Sequence, residues 1–172
     1  MASVDEMLEE MAEPGENARV ILTIDENLRI VTVPSVALVI GVKGDKDVNR
    51  IWFKINRNYR GTDLSAFVPR IYYTNAVGEK YYYQSLDSHV EGESLLFSWL
   101  VGRDAVSAIG TVEFGVCMQR LVSGTVVQEF NTTTATVRCL KGACDDNAGS
   151  DSSGQDVIAI LGNMTLGQMI LG

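Results

Sequence analysis

The sequence predicts an all-β protein, an antiparallel β-sandwich with short helical N- and C-terminal arms. Three observations predict it. Nine short segments rich in Val, Ile, Thr and aromatic residues are separated by turn-forming residues, several alternate apolar and polar side chains, and the acidic residues gather at the two ends of the chain. With 172 residues, 46% hydrophobic and 21% charged, the chain is large enough for one domain that buries roughly two thirds of its unfolded surface.

Charge divides the chain. Of 22 acids, ten lie in residues 1–17 and 144–172, which hold no Lys or Arg, leaving 12 acids against all 14 bases in residues 18–143. The net charge of −8 gives no broad cationic face for phosphate contacts, so nucleic acid is not expected as a partner. No apolar run reaches the roughly 18 residues of a membrane span, and no membrane partner is expected.

Residues 1–17 form an acidic N-terminal arm. Ser3-Val4-Asp5-Glu6 is a capping box, and Val4, Met7, Leu8 and Met11 then fall on one helical stripe that Pro14-Gly15 stops. A helix of about ten residues is marginal alone in water, so Met7, Leu8 and Met11 are expected to lie against another surface. The arm has no cationic region before an apolar stretch and does not read as a secretory signal, so synthesis in a reducing cytoplasm is expected.

The body, residues 18–143, reads as strands over 18–24, 28–33, 36–42, 48–56, 68–74, 80–84, 94–101, 111–119 and 133–139. Ile51/Phe53/Ile55, Leu95/Phe97/Trp99/Val101 and Val112/Phe114/Val116/Met118 each place apolar side chains on one face, with Arg50/Lys54 and Thr111/Glu113/Gln119 opposite. Between the strands at 68–74 and 80–84, Asn75-Ala76-Val77-Gly78 suits a tight turn closed by a left-handed glycine. That register sets Ile71, Tyr73, Tyr81 and Tyr83 on one face and Arg70, Tyr72, Thr74, Lys80, Tyr82 and Gln84 on the other. Tyr72 and Tyr82, with Trp52 between Arg50 and Lys54, make an outer surface both polar and aromatic, suited to an assembly contact or to stacking on sugar rings. Of the two, the assembly contact is expected.

Residues 144–154 read as a flexible linker of small polar residues. Residues 155–172 form an apolar C-terminal arm in which Val157, Ile160, Leu161, Met164 and Leu171 share one helical stripe weakened by Gly162 and Gly167, an arrangement expected to dock on a neighbour.

No catalytic residue, metal site or cofactor is read from the sequence. Asp45-Lys46-Asp47-Val48-Asn49 echoes half a calcium loop without its Gly and distal Glu. Cys139 and Cys144 lack a second ligand pair, and the single histidine, His89, reads as a solvated residue of an acidic loop. The three cysteines are expected as free thiols, Cys139 buried and Cys117 accessible on the polar face of its strand.

The runs Ile24-Asp25-Glu26-Asn27-Leu28-Arg29-Ile30, Asp47-Val48-Asn49-Arg50-Ile51-Trp52-Phe53-Lys54-Ile55, Tyr59-Arg60-Gly61-Thr62-Asp63-Leu64-Ser65, Phe97-Ser98-Trp99-Leu100-Val101-Gly102-Arg103 and Gln128-Glu129-Phe130-Asn131-Thr132-Thr133 follow one another in an order that resembles a module of tail and baseplate-region proteins of phages of Gram-positive gut bacteria. Over about residues 18–140 the chain is similar to the N-terminal immunoglobulin-like domain of phage baseplate upper proteins. The resemblance implies an immunoglobulin-like sandwich, a non-enzymatic attachment role in a virion, other virion proteins and further copies of the chain as partners, and no catalytic, metal or cofactor residues. A chain of this size with two apolar arms also fits a capsid-decoration or head-fibre-anchoring protein, and a host-surface glycan is the alternative partner.

Overall fold

A computed structural model describes residues 19–144 and 147–150. The chain divides into two units, Met1–Gly142 and Ala143–Gly172. Met7, Leu8, Met11, Val157, Ile160, Leu161, Met164 and Leu171, and with them both predicted arms, lie outside the described residues.

The alternating segments become two facing sheets, and the all-β sandwich is what the structure shows. The first sheet has the order β2 (Ile30–Thr32), β1 (Val20–Asp25), β4 (Arg50–Asn56), β10 (Ser94–Leu100), β9 (His89–Glu91). The second has the order β3 (Val39–Val42), β13 (Ala135–Leu140), β11 (Gly110–Val122), β7 (Val68–Thr74), β8 (Lys80–Gln84), and β12 (Thr125–Asn131) also pairs with β11. A small hairpin of β5 (Asn58–Tyr59) and β6 (Thr62–Asp63) lies apart from both sheets.

Most pairs are antiparallel, as the sequence predicts, but β1 with β4 and β3 with β13 are parallel. The reason is connectivity. Between β1 and β4 the chain adds β2 to the first sheet and β3 to the second before it returns, and such a crossover lets β4 run in the direction of β1. The strand predicted over 36–42 is shorter, because Ser35–Ala37 forms a turn of 3-10 helix.

Strand alternation supplies the core. Leu22, Ile24, Phe53, Leu95, Phe97 and Trp99 from the first sheet meet Ile40, Ile71, Phe114, Met118 and Val137 from the second, all buried. Aromatic rings tie the layers: Phe53 stacks on Phe97 at 5.3 Å and meets Phe114 edge-on at 6.1 Å, while Tyr73 stacks on Trp99 at 5.1 Å. Each such ring contributes about 1.5–3 kcal/mol by burial and about 0.5–1.5 kcal/mol more by ring geometry.

The predicted tyrosine hairpin has the predicted register, with Tyr73 opposite Tyr81, Tyr72 opposite Tyr82, and Gly78 at φ 88° closing the turn. Asn75 anchors that turn. It is buried, its Nδ2 donates to the Asp104 carbonyl at 3.0 Å and its Oδ1 accepts from the Glu79 amide at 2.9 Å.

The predicted strand at 111–119 is longer. After β11 the chain turns at Ser123-Gly124 and returns as β12, pairing Met118 with Phe130 and Gln119 with Glu129. Residues 132–134 then interrupt the return strand before β13 pairs with the first half of β11. The Val116 amide donates to Thr132 Oγ1 at the interruption, at 2.9 Å.

Candidate binding face

The outer face of the second sheet is a lattice of side chains set by strand register. Tyr82, Tyr72 and Gly115 form one row across β8, β7 and β11. Gln84, Arg70, Cys117 and Asn131 form the next row, which reaches β12. Lys80, Thr74 and Glu113 form a third row on the other side of the first. Tyr72 and Tyr82 are 41% and 56% exposed, and their rings sit 5.5 Å apart at 32°. The Arg70 guanidinium lies 4.9 Å from the Tyr82 ring and its Nε donates to Gln84 Oε1 at 3.3 Å, which holds the outer tyrosine in place.

Gly115 has no side chain to stand between Tyr72 and the far wall at residues 132–134, so a groove of about 480 Å³ opens there. Tyr72 forms one wall, with Glu113 and Cys117 along the floor and Glu129, Asn131 and Thr132 opposite. The Glu129 carboxylate accepts from Asn131 Nδ2 at 3.0 Å and Gln119 Nε2 at 3.3 Å. Those donors, Asn131 foremost, hold Glu129 ionised by lowering its pKa. Cys117 faces outward as predicted but is not accessible: it is only 7% exposed. Burial first, then the Glu129 carboxylate, pushes its thiol up to about 11. Cys139 is buried in the core beside Val137, and burial likewise raises its thiol, whereas Cys144 is exposed.

On the outer face of the first sheet, Trp52 is half-buried. The Arg19 guanidinium lies 4.6 Å from its ring centre and His89 meets it edge-on at 5.7 Å. The His89 side chain is partly solvated as predicted, but the residue belongs to β9 and pairs with Leu96 and does not sit in a loop. Its Nδ1 lies 2.9 Å from the Asp87 carbonyl and its Nε2 3.0 Å from Glu91 Oε1. The two acceptors, the Asp87 carbonyl first, raise its pKa.

Beside it, Asp87 Oδ1 accepts from the Ser98 amide at 2.9 Å and from Ser85 Oγ at 2.8 Å, and Asp87 Oδ2 accepts from Ser98 Oγ and from Arg50 Nη1 at 3.2 Å. Burial opposes the charge of Asp87, yet these donors outweigh it and leave the carboxyl below its ordinary range.

The structure thus places Tyr72 and Tyr82 together on one sheet and Trp52 on the other sheet, under Arg19. Gly115, Glu129, Asn131 and Thr132 escape a strand-by-strand reading, since three of them come from β12 and the interruption after it. The one local hint of β12 is Ser123-Gly124, a turn dipeptide that marks a reversal of the chain but not the strand that follows it.

These features define an all-β sandwich domain with a polar and aromatic groove on one outer sheet face. No protein-family model matches the chain, and no curated protein matches it. Among solved structures, the N-terminal domain of phage TP901-1 ORF48 aligns at 12% identity with a TM-score of 0.45, over 72% of this chain and 98% of that one.

Proposed function

We propose that the protein is a non-enzymatic assembly module of a phage virion, in the tail or baseplate region, that docks on other virion proteins and on further copies of itself. The observation that carries this reading is the hairpin of β11 and β12. Its ladder to β7 ends at Gln119 opposite Val68, and beyond that point a two-stranded ribbon exposes Leu121, Val122, Val126 and Val127 to water. A paired ribbon with apolar side chains and no sheet beside it gains stability by meeting another subunit.

The ordered sequence blocks between residues 24 and 133, which resemble the baseplate-module family, support the choice of a virion. The non-enzymatic reading is supported by Cys117 and His89, the thiol and the imidazole set in the two outer sheet faces. The Cys117 thiol is pushed away from the reactive thiolate, and both His89 nitrogens are engaged by neighbours. A capsid-decoration or head-fibre position would use the same ribbon on a different partner.

Mass spectrometry of separated heads and tails from purified particles tests this. The chain should be recovered in the tail fraction, and the double substitution Leu121→Glu and Val126→Glu should leave a folded protein that is lost from particles. Recovery in the head fraction would move the module to the capsid, and normal incorporation of the double variant would overturn the docking ribbon.

A further inference from the structure

The groove on the second sheet has a floor that the fold itself does not require. Gly115 stands near the middle of a 13-residue strand, where glycine is less stable than alanine by about 0.5–1 kcal/mol. A glycine in such a place usually answers a left-handed backbone or a close approach by another part of the chain. Neither holds here. Gly115 is not among the glycines with positive φ, and a Cβ built on it would lie 3.5 Å from the Thr133 carbonyl oxygen, 3.6 Å from Thr132 Oγ1 and 3.7 Å from Thr134 Cγ2, all ordinary van der Waals contacts. What the missing side chain does provide is the opening of about 480 Å³ beside Tyr72, a size within the range of small-ligand sites, about 300–1,000 Å³.

We propose that this groove is a saccharide-binding site, in which a sugar ring stacks on Tyr72 over Gly115 and its hydroxyls are read by Glu113, Glu129 and Asn131. The chemistry of the lining selects this ligand class. The groove lies over β7 and β11, and where the β12 and β13 ladders of β11 part, the Val116 amide donates to Thr132 Oγ1 and its carbonyl accepts from the Thr132 amide, so no free strand edge is offered there to an extended peptide and recognition falls to side chains.

One wall is an aromatic face, whose negative quadrupole attracts the C–H face of a pyranose ring. The other carries planar carboxylate and amide groups, already oriented by the hydrogen bonds from Gln119 and Asn131 to Glu129, which suit vicinal hydroxyls. Two carboxylates, Glu113 and Glu129, against the single Lys80 disfavour a phosphate or other anion. Tyr82, tilted against Tyr72 and held by Arg70, extends the platform for a second sugar unit. The site goes beyond the assembly role and stands without it, since its β11 and β12 residues lie in the part of the hairpin that β7 flanks, and the exposed ribbon begins beyond Gln119.

The test uses the full chain, isotope-labelled, titrated with a panel of short neutral oligosaccharides of gluco, galacto, rhamno and N-acetylated types. Amide spectra report the site of binding. At least one oligosaccharide should shift the Gly115, Cys117 and Asn131 amides, and Gly115→Ala should bind it within about twofold of the parent. Gly115→Leu, which fills the groove, and Tyr72→Ala, which removes the platform, should each weaken it more than about tenfold with unchanged melting.

Glu129→Gln serves as a third variant and is expected to weaken binding several-fold should Gly115→Leu fail to fold. No shift with any oligosaccharide overturns the proposal, as does parent-like binding by Tyr72→Ala. Oligolysine shifting the same amides in place of sugars also overturns it and makes the groove a receptor for a basic segment. The Leu121→Glu and Val126→Glu variant should bind sugar normally, which separates failure of this site from failure of the assembly role.

Discussion

The Arg29 guanidinium lies 3.8 Å from the centre of the Phe130 ring, and its Nη1 donates to the Asn131 carbonyl at 2.9 Å. One side chain from the turn between β1 and β2 in the first sheet thereby clamps the end of β12 in the second. The Arg29 carbonyl accepts in return from the Thr133 amide at 2.7 Å and Thr133 Oγ1 at 2.9 Å, so the interruption after β12 is held from across the sandwich.

This clamp gives a test in which two substitutions differ in rank. Arg29 adopts φ 62°, a left-handed conformation that disfavours any residue with a Cβ by about 1–2 kcal/mol. Arg29→Ala loses the ring contact and the hydrogen bond and keeps the backbone strain, and should destabilise the domain by about 2 kcal/mol. Arg29→Gly loses the same contacts but relieves the strain, so it should unfold at a higher urea concentration than Arg29→Ala. The reverse order would show that the clamp is not limited by the turn.

Thiol labelling should begin at Cys144 and not at Cys117, the thiol that the sequence marks as accessible. Cys144 is exposed, whereas Cys117 is covered and its thiol is pushed up to about 11 from 9.0, which lowers its thiolate fraction about a hundredfold near neutral pH. Maleimide should modify Cys144 first, with Cys117 and Cys139 reacting only on unfolding. Mass spectrometry of timed digests reads the order, and modification of Cys117 in step with Cys144 in the folded protein would show that the sheet does not cover it.

Acid stability should depend on Asp87. Its folded carboxyl lies below its ordinary range, so its contribution is fully present above the unfolded pKa, near about 4, and is lost as pH falls through the folded value. Ser98→Ala removes a hydroxyl that donates to this carboxylate and accepts from Arg50 Nη1 at 2.6 Å, and should cost about 1–3 kcal/mol at neutral pH. Without that donor the Asp87 pKa rises toward its unfolded value, so the urea midpoint of the variant should fall by less on acidification and level off at a higher pH than that of the parent. Parallel pH profiles for the two proteins would show that Ser98 does not tune Asp87.

Alternation by itself determined the strands whose apolar side chains share the core-facing side: β4, β7, β10 and the first half of β11 read directly from Ile51 to Ile55, Ile71 to Tyr73, Leu95 to Trp99 and Val112 to Met118, although β10 also buries Leu96 and Ser98 on its other face. The tyrosine hairpin was legible for the same reason, since a short turn fixes the register of two neighbouring strands and hence which tyrosines face outward. β12 was not legible, because Phe130 is its only buried residue and the ribbon at its start has no core to face, so the period-two pattern that marks a strand is absent. β9 is three residues long and takes its identity from pairing with β10.

Tertiary structure alone decided the burial of Cys117, the covering of Trp52 and the existence of the groove. Each depends on side chains that are distant in sequence and adjacent only through strand order, as Tyr72 and Gly115 are across β7 and β11. Local sequence records which face a residue takes, because that follows from the pleat of its own strand. It does not record what stands beside that residue, because the neighbour is chosen when the sheets assemble.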